Sequence, residues 1–311
     1  MRDAFLDKLY DIAREDRRVI LISNDFGAPS LDKFREDLPD QFVHIGIAEQ
    51  NMVDVATGLA LAGNIVYMYS IGPFLPLRCY EQLRVHLAFK RYNITGVMVG
   101  AGYSYDLSGP SHHALEDIAV MNVLPDITIL NASDSIMGAA FARMSYEEEG
   151  PKYIRFDREV FSPIYDQQDS DFSDGLTVLK DGSDLFIIAS GIMVHQAFTV
   201  VEELARNSID AGIIDLYRIK PLNKELLLNT MLKTNCIVTM EENFLNGGIG
   251  SIIANLIVDC SQNIKLRRLG IPEQYFSQGG GREVLHRLAG LDVASITENI
   301  LKWAKENDRK L

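Results

Sequence analysis

The segment HIGIAEQNM (44–52) places Glu49 and Gln50 where a strand-like run gives way to a helix that continues through Ala56 to Leu61. A carboxylate in a first helical turn gains from the helix dipole, so a plain N-terminal charge is one reading. The other is a ligand-contacting glutamate at a strand-to-helix junction, where doubly wound sheets gather their ligand sites. SGPSHHALED (108–117) sets a Gly-Pro turn and the adjacent His112 and His113 just before a helix. Neighbours at i and i+1 point apart, so they cannot clamp one metal as an i, i+4 pair would. Either one faces a cleft while the other supports the turn, or both are solvent-exposed turn residues.

IGPFLPLRCYEQLR (71–84) carries Phe74 and Tyr80 at a strand end and helix start, with Arg78 between them. Rings at such positions are commonly core, but a phenylalanine directly after Gly-Pro is poorly placed for that, and its face suits a flat heterocycle. In KYIRFDRE (152–159), Arg155 is a cation at the centre of a strand-like run. It reads either as half of a surface salt bridge or as a planar clamp for phosphate or carboxylate. TMEENFLNGGIGS (239–251) is a strand end, a pair of acids and a glycine-rich turn into a helix. Its two glutamates weigh against an anion cradle, so a contact between subunits fits it better. The chain has neither a G-x-x-x-x-G-K-[ST] loop nor a strand-coupled G-x-G-x-x-G, so a one-chain phosphate cradle is missing.

The elements that must position these residues alternate. Runs at 19–23, 65–70, 94–102 and 127–132 read as buried strands, separated by amphipathic stretches at 48–62, 77–91 and 133–147. A stretch rich in Ser, Asp, Gln and Gly at 162–184 reads as a linker with room for one short strand. The alternation resumes with strands at 185–191, 211–217, 236–241 and 265–271 between helices near 194–207, from 223, and near 248–260, and a last helix at 293–306. The expected fold is α/β, with two consecutive domains, each a mostly parallel sheet flanked by helices. The divisions fall at 1–161, a linker at 162–184, and 185–311.

Composition narrows the function classes. The 311 residues are 47% hydrophobic and 23% charged, which suits two globular domains with substantial cores. Thirty Lys plus Arg against 43 Asp plus Glu leave a net charge of −13, a field that repels nucleic acid. No apolar run approaches the roughly 18 residues that span a membrane, and the amphipathic start MRDAFLDKLYDIAREDRR is unlike a secretory signal. Cys79, Cys236 and Cys260 have no short paired spacing, which argues against a disulfide framework or zinc site and fits a cytoplasmic protein.

Taken together and in order, GIAEQNM, GPSHH followed by ED, VTMEENFLNGGIGS and GIPEQYFSQGG resemble the C-terminal portion of transketolase and of 1-deoxyxylulose-5-phosphate synthase over nearly the whole chain. That portion comprises the pyrimidine-binding domain and C-terminal domain of a thiamine-diphosphate enzyme. The resemblance implies that Glu49 hydrogen-bonds the aminopyrimidine ring and favours its imino tautomer, whose nitrogen can deprotonate the thiazolium carbon. It implies that Phe74 stacks on that ring with Tyr80 nearby, and that Asp25, in SNDFGAPS, lies near the thiazolium. His112 resembles the histidine of the family's Gly-Pro-Thr-His motif, which bonds substrate hydroxyls or helps proton transfer. Arg155, Arg2 and Ser30 resemble groups that hold the sugar phosphate.

Three departures from the family sharpen the expectation. Ser108 stands where transketolases usually place an Asp that reads a donor-sugar hydroxyl, so discrimination by charge is lost there. Leu77 stands where a second aromatic is usual. No Gly-Asp-Gly, the family's diphosphate and Mg²⁺ motif, occurs in the sequence. The resemblance then implies a split enzyme: a partner subunit carries the diphosphate-binding half and holds the diphosphate and Mg²⁺, in an α₂β₂ assembly that transfers a two-carbon ketol unit between sugar phosphates. A pyruvate-condensing synthase, a β-type subunit of a 2-oxoacid dehydrogenase, and a catalytically inactive regulatory subunit are the alternatives.

Overall fold

The structure, a computed structural model, describes residues 1–24, 28–166 and 170–306. Asp25 lies outside the described residues. Among the described residues twelve strands follow in chain order: β1 (Val19–Ser23), β2 (Phe42–His44), β3 (Ile65–Ile71), β4 (Ile94–Val99), β5 (Thr128–Asn131), β6 (Lys152–Phe156), β7 (Leu176–Lys180), β8 (Leu185–Ala189), β9 (Ala211–Leu216), β10 (Arg218–Lys220), β11 (Cys236–Phe244) and β12 (Lys265–Ile271). They form two mostly parallel sheets flanked by helices, ordered β10-β5-β6-β4-β3-β1-β2 and β12-β11-β8-β9-β7.

The continuous apolar runs explain the parallel arrangement. All five residues of β1 and all six of β4 are buried, as strands covered on both faces require. On one face of the first sheet, Phe5 and Leu9 of the helix Arg2–Glu15 pack with Phe141 of the helix Ser135–Glu147. On the other, Met52, Val53 and Ala56 of the helix Glu49–Leu61 cover Ile22 and Met68. Among the described residues no helix is long and apolar enough to cross a membrane.

The stretch 162–184 holds one strand, β7, which pairs antiparallel with β9 at the edge of the second sheet. β10 is a less expected edge. It lies beyond the linker in sequence, yet it pairs antiparallel with β5 and extends the first sheet. Lys220 fastens it by donating to the carbonyls of Asn122, at 2.7 Å, and Leu124, at 2.5 Å.

A buried polar seam joins the two sheets. Glu242, at the end of β11, accepts from the Tyr103 backbone N–H at 3.0 Å and from Arg282 Nε at 2.8 Å. Arg282 also donates to Asp157 at 2.6 Å, and its backbone N–H donates to Asp106 at 2.9 Å. Gly102 is required at this seam: with φ +59°, a Cβ there would lie 1.9 Å from Glu242 Oε2.

Candidate active site

Strand order locates the site. β1 pairs with β2 on one side and β3 on the other, and β3 pairs on with β4, so the chain leaves the C-terminal ends of β1 and β3 in opposite directions, the switch point at which sheets of this kind form ligand crevices. Asn24 follows β1, Ser70 lies near the end of β3, and Glu49 begins the helix that follows β2. The three meet: Asn24 Nδ2 donates to Glu49 Oε1 at 2.9 Å and to Ser70 Oγ at 3.1 Å. Glu49 is only 5% exposed, so this carboxylate is a built feature of the crevice rather than a solvated first-turn charge.

Phe74 enters from the next connection. Gly72 approaches β4 so closely that a Cβ would lie 2.2 Å from Met98 Sδ, and this approach sets where the short helix Phe74–Arg78 begins. Phe74 and Arg78 are i and i+4, hence on one helix face. The Arg78 guanidinium carbon lies 3.8 Å from the Phe74 ring centre, and its Nη1 donates to Glu49 Oε1 at 3.1 Å. His112 meets Phe74 edge-on, with ring centres 5.1 Å apart and planes at 70°. Glu49, Phe74 and His112 are therefore gathered into one site, linked by Arg78.

The histidine pair divides its duties. His112 is half-buried, with Nδ1 3.0 Å from Ser111 Oγ and its ring 6.0 Å from that of Tyr105. His113 turns inward, packs edge-on against Tyr103 at 4.9 Å, and burial pushes its imidazole pKa down. Ser108 ends the turn Asp106–Ser108 and is exposed.

Other expected residues lie elsewhere. Arg155, expected as an anion clamp, is 2% exposed and grips Asp117 with two prongs, Nε at 2.6 Å and Nη2 at 3.0 Å. Its Nη2 also reaches Asn243 Oδ1 at 3.2 Å, and Tyr153 donates to the same Asp117 at 2.8 Å. A guanidinium so committed ties the first sheet to β11 and is not an open clamp; its partners are fixed by tertiary packing. Tyr80 donates its hydroxyl to the Val120 carbonyl at 3.0 Å and lines a groove with Phe89 and Val123 instead of meeting Phe74. Arg2 pairs with Asp3 at 2.7 Å, and Ser30 Oγ is shielded with no hydrogen-bond partner among the described residues. No contact links either residue to Glu49, Phe74 or His112 among the described residues.

Sequence patterns alone do not single out Asn24, Ser70 and Arg78 as site residues. For Arg78 a signal exists, since an arginine four residues after an exposed loop aromatic can stack on it. Asn24 and Ser70 reach the site only through strand order.

The donor and stacking set fits the aminopyrimidine of thiamine diphosphate. A buried carboxylate beside an aromatic face takes a flat ring with an amidine-like edge, and the planar, nitrogen-edged guanidinium of Arg78 already stands in that geometry. The described residues do not fit the metal: none form a group of three or more His, Cys, Asp or Glu able to hold one.

Residues 1–162 match the pyrimidine-binding domain of transketolase, and residues 175–296 match the transketolase C-terminal domain. The chain is 32% identical over 308 residues to an apulose-4-phosphate transketolase subunit of Phocaeicola vulgatus, covering 98% of this chain and 97% of the relative. It is 32% identical over 299 residues to the 6-deoxy-6-sulfo-D-fructose transketolase subunit of Clostridium sp. strain MSTE9, covering 95% and 92%. A solved structure described as a split gene transketolase, inactive beta4 tetramer, superimposes with a TM-score of 0.86 at 29% identity, covering 97% of this chain and 96% of that one. Both domain matches fall in chain order, and the candidate site lies within the first; the chain belongs to the transketolase family and comprises its pyrimidine-binding and C-terminal domains.

Proposed function

We propose that this chain is the pyrimidine-binding subunit of a two-chain, thiamine-diphosphate-dependent transketolase acting on sugar phosphates or related sugars. The observation that carries the reading is the buried Glu49 carboxylate held beside the Phe74 face at the crevice. When bound, thiamine diphosphate supplies the carbon nucleophile that takes up and passes on a two-carbon unit. Glu49 would hold the pyrimidine ring nitrogen and share a proton with it, while Asn24, tied to Ser70, fixes the carboxylate's orientation. Phe74 would set the plane of the ring. His112, with Nδ1 engaged by Ser111, turns Nε2 toward a substrate hydroxyl, and Ser108 adds a neutral hydrogen bond at the rim.

The relatives named as subunits support a partner chain, and in this reading that partner brings the diphosphate-binding half and Mg²⁺. Their names differ in the sugar, so the reading stops at the class of substrate. The test mixes this chain with a partner carrying Gly-Asp-Gly, Mg²⁺ and thiamine diphosphate, and measures ketol transfer. Glu49→Gln is expected to lower kcat by at least about 100-fold, within the range of losing an acid–base group, with the thermal midpoint nearly unchanged. Full activity in that variant, or consumption of pyruvate with release of CO₂ in place of ketol transfer, would refute the reading.

A further inference from the structure

We propose that Arg78 is an internal placeholder for the cofactor ring: its guanidinium occupies the Phe74 face and the Glu49 hydrogen bond that the aminopyrimidine takes, and it must swing out before the cofactor binds. The inference rests on the proposed function and adds a competitor within the site. A ring that stacks on Phe74 while bonding Glu49 has to fill the space between them. The Arg78 guanidinium fills it, 3.8 Å from the ring centre and 3.1 Å from Glu49 Oε1. Both contacts use the same flat group, as an aminopyrimidine would.

The local chain suits such a role. Glu49 is buried, and its other side-chain donor is neutral Asn24, so a cation beside it offsets the cost of burying its charge. The Arg78 side chain is 48% exposed and can leave toward water with little loss of packing. It is also the last residue of its helix, since Cys79 departs from helical geometry at φ −115°, ψ 28°. Gln50 Nε2 holds the Arg78 carbonyl at 3.1 Å, which fixes the backbone while the side chain swings.

Competition of this kind raises the apparent dissociation constant by the inverse of the fraction of molecules with Arg78 swung out. A stack on a half-buried aromatic plus one charged hydrogen bond makes that a factor of about 3 to 10. The experiment measures thiamine diphosphate binding, in the presence of Mg²⁺, to the two-chain complex by titration and stopped-flow fluorescence. Arg78→Gln removes the placeholder. Arg78→Lys keeps the charge but loses the planar group, which separates stacking from any long-range pull on the diphosphate. Both variants are expected to bind about 3- to 10-fold tighter than wild type and to associate faster, with unchanged far-UV circular dichroism. If wild type binds and both variants bind equally or more weakly, the placeholder role is refuted while the proposed function stands. If wild type binds no thiamine diphosphate, the proposed function falls and the placeholder with it.

Discussion

Arg282 supports the site without entering it, and its replacement gives a sharp test of the seam. Its guanidinium lies between Glu242, with Nη2 to Oε2 at 2.5 Å, and Asp157 at 2.6 Å, and all three side chains are 7% exposed or less. Arg282→Met removes the guanidinium that two buried carboxylates share and leaves Glu242 only His286 as a side-chain partner. Removing one partner of a buried pair costs about 3–5 kcal/mol, and burial this complete leaves little solvent screening to discount it. With a urea slope of about 3 kcal/mol/M, the midpoint should fall by about 1–1.7 M. The pH dependence separates an electrostatic loss from a packing loss. In the wild type, burial opposes ionisation of Glu242, yet Arg282 and His286 together hold its pKa well below the ordinary value. That stability is present above the unfolded-state pKa of about 4.3 and is lost only under strong acid. In the variant, only His286 and the Tyr103 N–H oppose burial, which raises the folded pKa above the unfolded value, so stability is lost as pH rises. The gap between variant and wild type should therefore widen from pH 5 to pH 7.5. A midpoint shift below about 0.3 M by the same slope, or an equal shift at both pH values, would refute the reasoning.

Two further titratable groups make separate predictions. Burial pushes the Asp215 carboxyl up to about 7 against the opposing hydrogen bonds from Ser133 and Tyr165, so its stabilisation is lost as pH rises from about 4 through 7. Asp215→Asn should gain on the wild type in urea midpoint between pH 5 and pH 8, and a constant difference would refute this. Lys152 is buried at the start of β6, where desolvation lowers its pKa to about 8. Its burden is felt while the unfolded chain is charged and fades as pH rises from 8 to about 10.5. Lys152→Met should therefore show its greatest relative stability at pH 7 and lose that advantage by pH 10, followed by the same urea midpoints.

The strand skeleton is legible where side-chain chemistry leaves one solution. VILIS and KLRRLGI match β1 and β12 end to end, because turn residues bound short β-branched or alternating runs. The stretch 77–91, which reads as one amphipathic helix, is broken in the structure. It stops at Cys79, restarts at Tyr80, and becomes π-helical over Leu83–Phe89. Over so few turns, apolar spacing does not separate the α from the π period. β10 escapes such a reading because three residues, Arg-Ile-Lys, carry no periodicity, and its pairing depends on β5, some 90 positions earlier.

The site divides along the same line. Glu49 and His112 are fixed by local patterns: a strand-to-helix junction, and a Gly-Pro turn that points adjacent residues apart. Arg155 and Arg78 show what such patterns omit. Both are arginines in promising company, and a local reading favours Arg155 because a cation in a buried strand needs an explanation. The structure supplies one: Asp117, 38 positions earlier, together with Asn243 from the other sheet, satisfies that cation within the fold. Arg78 meets Glu49 through a single donor and remains half exposed over the site. The group that tertiary structure commits least is the one able to respond to a ligand, and that difference is set by where the strands run.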